Sequence, residues 1–326
     1  MPAYKVLLTD YAWPDVELER QVLAEIDAEL IVAPKDSSTT VLGALAAEVD
    51  AILTCWAQLP EEVLGRARRC QIVSRMGIGL DNIDVDFCSR HGIPVTNVPD
   101  YCVEEVAEHA LALMMALARN VAFFHQDTKC GRYDLNAAPI PRRLSGQTLG
   151  IVGLGSIGCR LASKAAALGL HVMGVSRHRM ELECVRPVAL DELLTCADFV
   201  SLHVPSGPET HHMIGADELK QMKSSAFLIN TARGGLIDHQ ALANALAQSQ
   251  LAGAALDVQD PEPPDLSLPP YSDPRVIVTP HSAFASVESL EELRRRAAQQ
   301  VAVRLTGGTP DNVVNGSCAC RGPDHR

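Results

Sequence analysis

The sequence lacks a block rich in Lys and Arg, which argues against a nucleic-acid partner. Its formal net charge is -12, and the short basic cluster at residues 294–296 follows two glutamates, so we expect this cluster on a solvated helix face. Long apolar runs are also missing. Residues 5–9 are too few for a signal peptide, and residues 110–118 are too few for a membrane span. We therefore expect a cytoplasmic protein with no nucleic-acid or membrane partner.

Paired cysteine spacings of the zinc-binding kind are absent. Ten cysteines are scattered along the chain, which fits a reducing compartment better than a disulfide framework. Cys318 and Cys320 could serve metal or redox chemistry, but such a pair near a terminus is more often incidental. His211 and His212 have no carboxylate cluster or cysteine beside them, so we predict no metal site.

The chain contains enough apolar residues for two cores, since 47% of its 326 residues are hydrophobic. Strand-like and helix-like segments alternate from the start, with a strand over residues 4–9 and a helix over residues 15–30, and the alternation begins again at residue 149. This pattern predicts parallel sheets with crossover helices. Further strands are predicted at residues 30–33, 51–54, 72–75, 95–97, 149–152, 171–175, 199–202, 226–230, 253–257 and 276–278.

A long helix is predicted between the two alternating stretches, at residues 103–119. It is apolar over most of its circumference, so we expect it to be buried between domains or against another subunit. Residues 123–144 have mixed polarity and are predicted to form an arm rather than a compact element. A last helix at residues 287–305 is long enough to return to the first domain.

The segment from Gly153 to Gly158 has the pattern GxGxxG and lies between a predicted strand and a predicted helix. The first glycine allows a tight turn, the second lets the backbone approach a diphosphate, and the third lets the helix pack closely on the strand. Free N–H groups at the helix start then bind the phosphates. We predict that a dinucleotide binds here, through Gly153, Gly155, Ser156, Ile157 and Gly158.

Three later segments place a polar group just after a predicted strand, where open parallel sheets bind ligands. Arg233 lies in the first segment, Asp257 and Glu262 in the second, and His281 in the third. Each residue alone has an ordinary explanation as a surface ion pair, a solvated carboxylate or a structural histidine. Together they offer a guanidinium, carboxylates and an imidazole at one edge of the sheet.

With these segments in this order, the chain resembles the D-isomer-specific 2-hydroxyacid dehydrogenases over nearly its whole length. The loop that starts at Arg75 resembles the family's substrate loop, and the segment from Thr279 to Phe284 is most similar to the branch of the C-terminal-binding-protein corepressors. The resemblance implies two doubly wound parallel-sheet α/β domains. A Rossmann cofactor domain at residues 99–285 would be inserted into a flavodoxin-like substrate domain formed by residues 1–98 and 286–326. It also implies a homodimer that uses the long helix and the arm.

The resemblance assigns a role to each catalytic candidate. His281 would supply a proton to the carbonyl oxygen of a 2-oxo acid, and Glu262 would hydrogen-bond the other ring nitrogen and favour the charged ring. Arg233 would bind the substrate carboxylate. Asp257 would lie near the nicotinamide amide. The other implied cofactor-binding residues are His203, Pro205, Thr231 and Ala232, and the implied substrate-binding residues are Arg75, Met76, Gly77, Ile78, Gly79 and Phe284. Backbone N–H groups of the loop would hold the substrate carboxylate, and a structural role is an equal alternative for His203.

The end of the predicted strand 171–175 bears on the choice of cofactor. An NAD-specific site has a carboxylate there, whereas this chain has Ser176, Arg177 and Arg179. A serine and an arginine could bind a 2′-phosphate, so NADP(H) is favoured. NAD(H) stays open, because Arg177 could instead stack on adenine.

These features predict an NAD(P)H-dependent oxidoreductase that interconverts a small 2-oxo acid and its D-2-hydroxy acid. Phe284 stands where the corepressor branch has tryptophan, so glyoxylate, hydroxypyruvate, a phosphorylated acid and longer 2-oxo acids all stay open. Oxidation of inorganic phosphite also occurs in this family. The alternative from another class is a dinucleotide-sensing, corepressor-like interaction protein with weak catalysis, which would keep the same three catalytic residues.

Overall fold

The computed structural model describes residues 2–177 and 182–316, and the chain divides into two compact units. The first unit comprises the residues up to Tyr101 together with those from Ser286 on, and the second runs from Cys102 to Ala285. The predicted domain limits lie close to these units and remain a prediction. Arg179, Cys318 and Cys320 lie outside the described residues.

The first unit contains a five-stranded, entirely parallel sheet. Its strand order is β2-β1-β3-β4-β5, which confirms the flavodoxin-like prediction. Both faces are covered, so the strands read as continuous apolar runs with almost no exposed surface at their centres. The strands are β1 (Tyr4–Leu8), β2 (Ala28–Val32), β3 (Ala51–Thr54), β4 (Val73–Arg75) and β5 (Val95–Thr96), and the helices between them are α1 (Glu17–Ala24), α2 (Thr39–Ala46), α3 (Glu61–Leu64) and α4 (Val85–Arg90).

The second unit contains a seven-stranded parallel sheet in the order β12-β11-β10-β9-β6-β7-β8. Its strands are β6 (Thr148–Val152), β7 (His171–Val175), β8 (Val185–Pro187), β9 (Phe199–Leu202), β10 (Phe227–Asn230), β11 (Gly253–Leu256) and β12 (Val276–Val278), and its helices are α5 (Val103–Ala118), α6 (Val121–Lys129), α7 (Ser156–Ala167), α8 (Leu190–Cys196), α9 (Ala216–Gln221) and α10 (His239–Ala247). Counted from β6, this is the Rossmann order with a seventh strand added, so the predicted cofactor fold is confirmed. The chain then returns to the first unit through α11 (Val287–Leu305), which packs on α1, β3 and β4.

The long helix α5 is buried differently from the prediction. Its apolar face packs within the second unit, where Ala107, Ala110 and Leu113 share a core with residues of β6 and α7. The expectation of burial between domains or against another subunit is therefore wrong for this face, because the cofactor sheet itself supplies the apolar surface that covers it.

Two other predicted segments have different limits in the structure. The helix predicted over residues 15–30 ends at Ala24, because Asp27 takes a left-handed φ of 54° and the chain turns into β2. Ile26 and Leu30 continue the helical spacing of apolar residues, which explains the overlong prediction. The predicted arm begins as helix α6, which follows a left-handed Asn120, and the residues after it are irregular apart from a short 3-10 helix at Leu135–Ala137.

The sequence predicts that the basic cluster of residues 294–296 is solvated, but the structure shows that one of its three arginines is largely buried. The side chain of Arg294 is only 12% exposed and forms two 2.8 Å contacts with Glu19, which is fully buried. The guanidinium also lies 5.5 Å from the centre of the Trp13 ring. Among the described residues, Arg294 on α11 is thus the only cation paired with the buried Glu19 carboxylate on α1.

Within the described part of the chain, no single helix has the length and apolar composition needed to cross a membrane. Helices α5 and α6 meet that test only as a pair, bent by 63°.

Replacing Arg294 with Ala would leave the buried Glu19 carboxylate without its cation. We expect the free energy of unfolding to fall by about 3 kcal/mol, as for other broken buried pairs. The matched control is Arg295→Ala, whose contact with Glu291 is exposed and should be worth less than about 1 kcal/mol. Chemical denaturation measures both, and equal losses in the two variants would contradict this assignment.

Candidate active site

The predicted cofactor and catalytic residues of the second unit all follow carboxyl ends of its parallel strands. Since parallel strands end at one edge, these residues share that edge. The glycine turn follows β6, Ser176 follows β7, His203 follows β9, Arg233 follows β10, Asp257 follows β11 and His281 follows β12. Strand β6 lies between β7 and β9. The chain therefore crosses from β6 to β7 on one side and later returns from β8 to β9 on the other side of β6. Ligands of doubly wound sheets bind at such a switch point.

Each glycine of the turn after β6 has its own structural reason. Gly153 has a φ of 103°, and a Cβ there would lie 2.4 Å from the carbonyl oxygen of His203. A Cβ on Gly158 would lie 2.0 Å from the carbonyl oxygen of Gly153, so this glycine lets helix α7 close on the turn. A Cβ on Gly155 would meet no atom within 4 Å. The first and third glycines therefore serve packing, and the second keeps open space at the surface.

The open space at Gly155 lies against the amino end of α7. The first N–H groups of this helix, at Ser156 and Ile157, have no acceptor inside the helix, and no side chain caps this end within the described residues. Such an end binds phosphate through its N–H groups and its dipole. Directly after β10, the buried hydroxyl of Thr231 also has no hydrogen-bond partner in the described structure. The residues present therefore fit a bound dinucleotide.

The end of β7 carries the residues predicted to distinguish NADP(H) from NAD(H). Arg177 is 74% exposed and lies 3.6 Å from Glu209, a carboxylate that is 85% exposed. Ser176 directly precedes it at the end of the strand. The guanidinium therefore remains at the surface, within reach of a ligand, but with an acidic neighbour that the sequence pattern did not indicate.

The end of β9 places His203 beside the glycine turn. Its Nε2 lies 2.8 Å from Ser201 Oγ, and burial lowers its pKa to about 4, so the ring is neutral at pH 7. This contact supports the structural reading of His203, and its cofactor role stays a prediction. Pro205 is exposed, and its carbonyl oxygen accepts a hydrogen bond from Thr210.

The turn after β10 fixes the backbone of Arg233. Asn230 is fully buried, its Oδ1 accepts the N–H of Ala232 at 3.0 Å, and its Nδ2 donates to the carbonyl oxygen of Arg233 at 2.8 Å. A Cβ on Gly234 would lie 2.0 Å from the carbonyl oxygen of Gln259. This glycine therefore lets the arginine turn pack directly on the loop that carries Glu262.

Glu262 and His281 form the predicted pair. Glu262 Oε2 lies 2.9 Å from His281 Nδ1, and Glu262 Oε1 accepts the N–H of Gln259 at 2.8 Å. Burial alone would raise the pKa of Glu262, but the contact with His281, the Gln259 N–H and the charge of Arg233 outweigh it and lower that pKa. The carboxylate is thus ionised at neutral pH, and the structure brings all three predicted catalytic side chains to one region.

Asp257 organises the segment that carries His281. Its carboxylate is fully buried and accepts hydrogen bonds from Thr279 Oγ1 at 2.6 Å and from the N–H groups of Ser282 and Ala283 at 2.9 Å. Its carbonyl oxygen accepts the N–H of His281 at 2.8 Å. These bonds hold His281 at a left-handed φ of 50°, a conformation that side chains with a Cβ rarely adopt without such support.

The charge state of Asp257 follows from these contacts. Burial alone would raise its pKa, but the hydrogen bonds from His109, Thr279 and two backbone N–H groups lower the pKa to about 2. The enclosed carboxylate serves the protein's own loop in this structure, and its predicted contact with the nicotinamide amide stays a prediction.

Phe284, the predicted substrate residue of this unit, lies close to the imidazole. The ring centres of His281 and Phe284 are 6.2 Å apart, and the planes meet edge to face at 79°. The phenyl ring thus forms an apolar wall beside the imidazole.

The predicted substrate loop lies in the first unit, at the end of β4. The N–H of Met76 donates to the carbonyl oxygen of Thr54 at 2.8 Å, so this N–H is not available to a substrate carboxylate, contrary to the prediction. The Arg75 side chain is 7% exposed and bonds to Asn82 and to the Met76 carbonyl oxygen. The N–H groups of Gly77, Ile78 and Gly79 remain the predicted donors.

Sequence reasoning gave no role to several residues that support the site. Asn230 and Gly234 lie beside predicted site residues in the sequence but carry no signal of their own. The same holds for Gln259, which donates to the carbonyl oxygens of Leu256 and Thr279. His109 lies within the long predicted helix, where its position predicts a role in packing or at an interface. Within the described residues, no group of three or more His, Cys, Asp or Glu side chains is placed to hold a metal ion.

Comparisons with known proteins agree with this geometry. Residues 111–283, more than half of the chain, match the model of the NAD-binding domain of D-isomer-specific 2-hydroxyacid dehydrogenases. A glyoxylate reductase of Korarchaeum cryptofilum is 39% identical over 263 residues, which cover 78% of this chain and 79% of that protein. The D-3-phosphoglycerate dehydrogenase of Methanocaldococcus jannaschii is 34% identical over 95% of this chain, but over only 59% of its own length.

A solved structure shows the same similarity. The D-lactate dehydrogenase of Aquifex aeolicus, complexed with NAD and lactic acid, has a TM-score of 0.83 and 30% identity, over 93% of this chain and 96% of that one. The chain belongs to the D-isomer-specific 2-hydroxyacid dehydrogenase family. Its predicted similarity to the corepressor branch stays a prediction.

Gly155 and Gly158 make a matched pair for testing the cofactor turn. In Gly155→Ala the methyl group would fill the space that a diphosphate needs, so we expect NADH and NADPH to bind at least about tenfold more weakly, with a loss of stability below about 1 kcal/mol. In Gly158→Ala the methyl group meets backbone, and the free energy of unfolding should fall by about 2 kcal/mol or more. Fluorescence titration and denaturation distinguish the two, and unchanged dinucleotide binding by Gly155→Ala would refute the assignment.

Proposed function

We propose that this chain is an NAD(P)H-dependent reductase that converts a small 2-oxo acid to its D-2-hydroxy acid. The observation that carries the proposal is the 2.9 Å contact between His281 and an ionised Glu262, in electrostatic reach of Arg233, at the sheet edge that also holds the open glycine turn. A structural histidine would need neither the arginine nor the dinucleotide turn beside it.

The dinucleotide would be held by the N–H groups of Ser156 and Ile157, with Gly155 leaving room for the diphosphate. Thr231 and Ala232 would approach its nicotinamide end. When bound, the reduced cofactor supplies the hydride. The family relationship supports a nicotinamide dinucleotide. Between its two forms, we propose NADP(H) as the preferred cofactor, because Ser176 and Arg177 stand where a 2′-phosphate would lie.

The chain's own residues would handle the charge and the proton. Arg233 presents a planar cation that never loses its charge, which suits a substrate carboxylate. Glu262 accepts the Nδ1–H of His281 and stabilises the protonated ring. The proton on Nε2 is then the one that His281 passes to the carbonyl oxygen of the substrate as it becomes a hydroxyl. After the transfer the neutral ring keeps its bond to Glu262 and is ready to take up a proton again.

The substrate assignment rests on chemistry common to the class. A 2-oxo acid offers a carboxylate for Arg233 and a carbonyl oxygen for His281, and Phe284 supplies an apolar wall for its side chain. Phenylalanine offers no N–H donor at that wall, so the wall does not by itself select among glyoxylate, hydroxypyruvate and larger acids. An assay with a panel of 2-oxo acids distinguishes them.

The homodimer and the cytoplasmic location are further parts of the proposal. The residues after α5 support a dimer, because they expose apolar side chains that a partner could cover. These are Val121, Tyr133, Leu135 and Ile140, which are 57%, 95%, 73% and 82% exposed.

The function is tested with a panel of 2-oxo acids, each assayed with NADH and with NADPH. We expect turnover of at least one acid, and a loss of about 10²–10⁴-fold in kcat for His281→Ala, the usual range for general acid catalysis. His171→Gln, a change at an exposed histidine on the same sheet, should leave kcat unchanged. Tight dinucleotide binding with no turnover across the panel would refute the reductase and favour the dinucleotide-sensing alternative.

The cofactor preference is tested at the end of β7. Ser176→Asp places a carboxylate where a 2′-phosphate would lie, so we expect the ratio of kcat/KM for NADPH over NADH to fall by at least about tenfold through charge repulsion. Ser176→Asn is the uncharged control of the same size. If the aspartate variant keeps the wild-type ratio, the 2′-phosphate does not bind at this position.

A further inference from the structure

His109, on helix α5, contacts the group of residues that holds the catalytic segment. Its Nε2 lies 3.1 Å from Thr279 Oγ1 and 3.4 Å from Asp257 Oδ1, and the imidazole is 25% exposed. The residues that helix α5 buries are all apolar and pack on the cofactor sheet, so an imidazole aimed at a buried carboxylate stands out among them. Neither the glycine turn nor the three catalytic side chains explain it.

The positions of the hydrogens follow from the donors and acceptors available. Asp257 is ionised, so both of its oxygens can only accept. Thr279 has one hydroxyl proton, and its 2.6 Å contact with Asp257 Oδ1 uses that proton. The Thr279 oxygen must then accept from His109, which means that Nε2 of His109 carries a hydrogen. The same hydrogen points towards the negative charge of Asp257.

We propose that His109 is a positioning residue for His281, acting through Thr279 and Asp257. The inference rests on the proposed reductase function and adds to it a residue on a distant helix. His109 fixes the hydroxyl of Thr279 and adds a donor beside the Asp257 carboxylate. That carboxylate in turn binds the N–H groups of Ser282 and Ala283, which follow His281 directly.

The chain of contacts explains why a donor is required at this place. Residue 281 is held at a left-handed φ, which is unfavourable for a residue with a Cβ. Only a carboxylate that is fixed in one orientation can keep two successive N–H groups bonded and hold that conformation. Without the donor from α5, the Thr279 hydroxyl loses one of its two hydrogen-bond partners, and the carboxylate loses a neighbouring donor that helps to fix its orientation.

The first test is the tautomer of His109, which requires no activity. In the wild-type protein labelled with ¹⁵N-histidine, we expect the ring-nitrogen shifts to show hydrogen on Nε2 of His109, assigned by its loss in His109→Phe. A neutral ring with hydrogen on Nδ1 alone would overturn the proposal, whatever the reaction turns out to be.

The second test uses kinetics with the acid that the panel identifies. His109→Phe keeps a ring but removes the donor, and we expect kcat to fall by about 10–100-fold, with KM for the acid changed less than about threefold. His109→Gln retains an N–H donor and should recover kcat to within about threefold of wild type. In a His281→Ala background, His109→Phe should cost less than about twofold more, because its effect passes through that residue.

The outcomes separate the two proposals. A wild-type enzyme that reduces none of the acids refutes the function and leaves the tautomer as the test of the contact. An active wild type with an equally active His109→Phe refutes the positioning role and leaves the function intact. A glutamine variant as slow as the phenylalanine variant, or a full loss on top of His281→Ala, also refutes the positioning role, since either result would indicate a general effect on packing.

Discussion

A single buried negative charge organises the candidate active site. The carboxylate of Asp257 has no exposed surface, and it survives in the core because a hydroxyl and two backbone N–H groups are directed at it. Those N–H groups belong to the residues that follow His281, and the Asp257 carbonyl oxygen takes the N–H of His281 itself. The hydrogen bonds that stabilise the buried charge of Asp257 are thus part of the same set of bonds that holds the His281 imidazole beside Glu262.

Close backbone approach provides the rest of the site. Gly158 lets helix α7 close on the turn after β6, and Gly234 lets the Arg233 turn close on the Gln259 loop, in each case with a carbonyl oxygen where a Cβ would be. Both contacts form at the carboxyl edge of one parallel sheet. Because the strands are parallel, every functional segment follows a strand at the same edge of the sheet. The glycines determine how closely these segments approach one another.

The sequence predicted the architecture well because the physics behind it is local. The spacing of apolar residues changes at both ends of strands such as 171–175 and 276–278 and of the helix 287–305. In the structure these elements begin and end at the predicted residues. The first helix is predicted too long, since Ile26 and Leu30 keep helical spacing across the turn at Asp27. Motif order likewise indicated Arg233, Glu262 and His281. Arg294 and His109 were misjudged, because their partners Glu19 and Asp257 lie far away in sequence and only folding brings them together.

Crystal structures of the wild type and of Asp257→Ala would show whether the Asp257 carboxylate holds His281 in place. In the variant, we expect residues 281–283 to leave their wild-type path and the 2.9 Å contact between His281 and Glu262 to be lost, while β11 and β12 superpose unchanged. If His281 keeps its left-handed conformation and its contact with Glu262 in the variant, the Asp257 carboxylate does not hold it there.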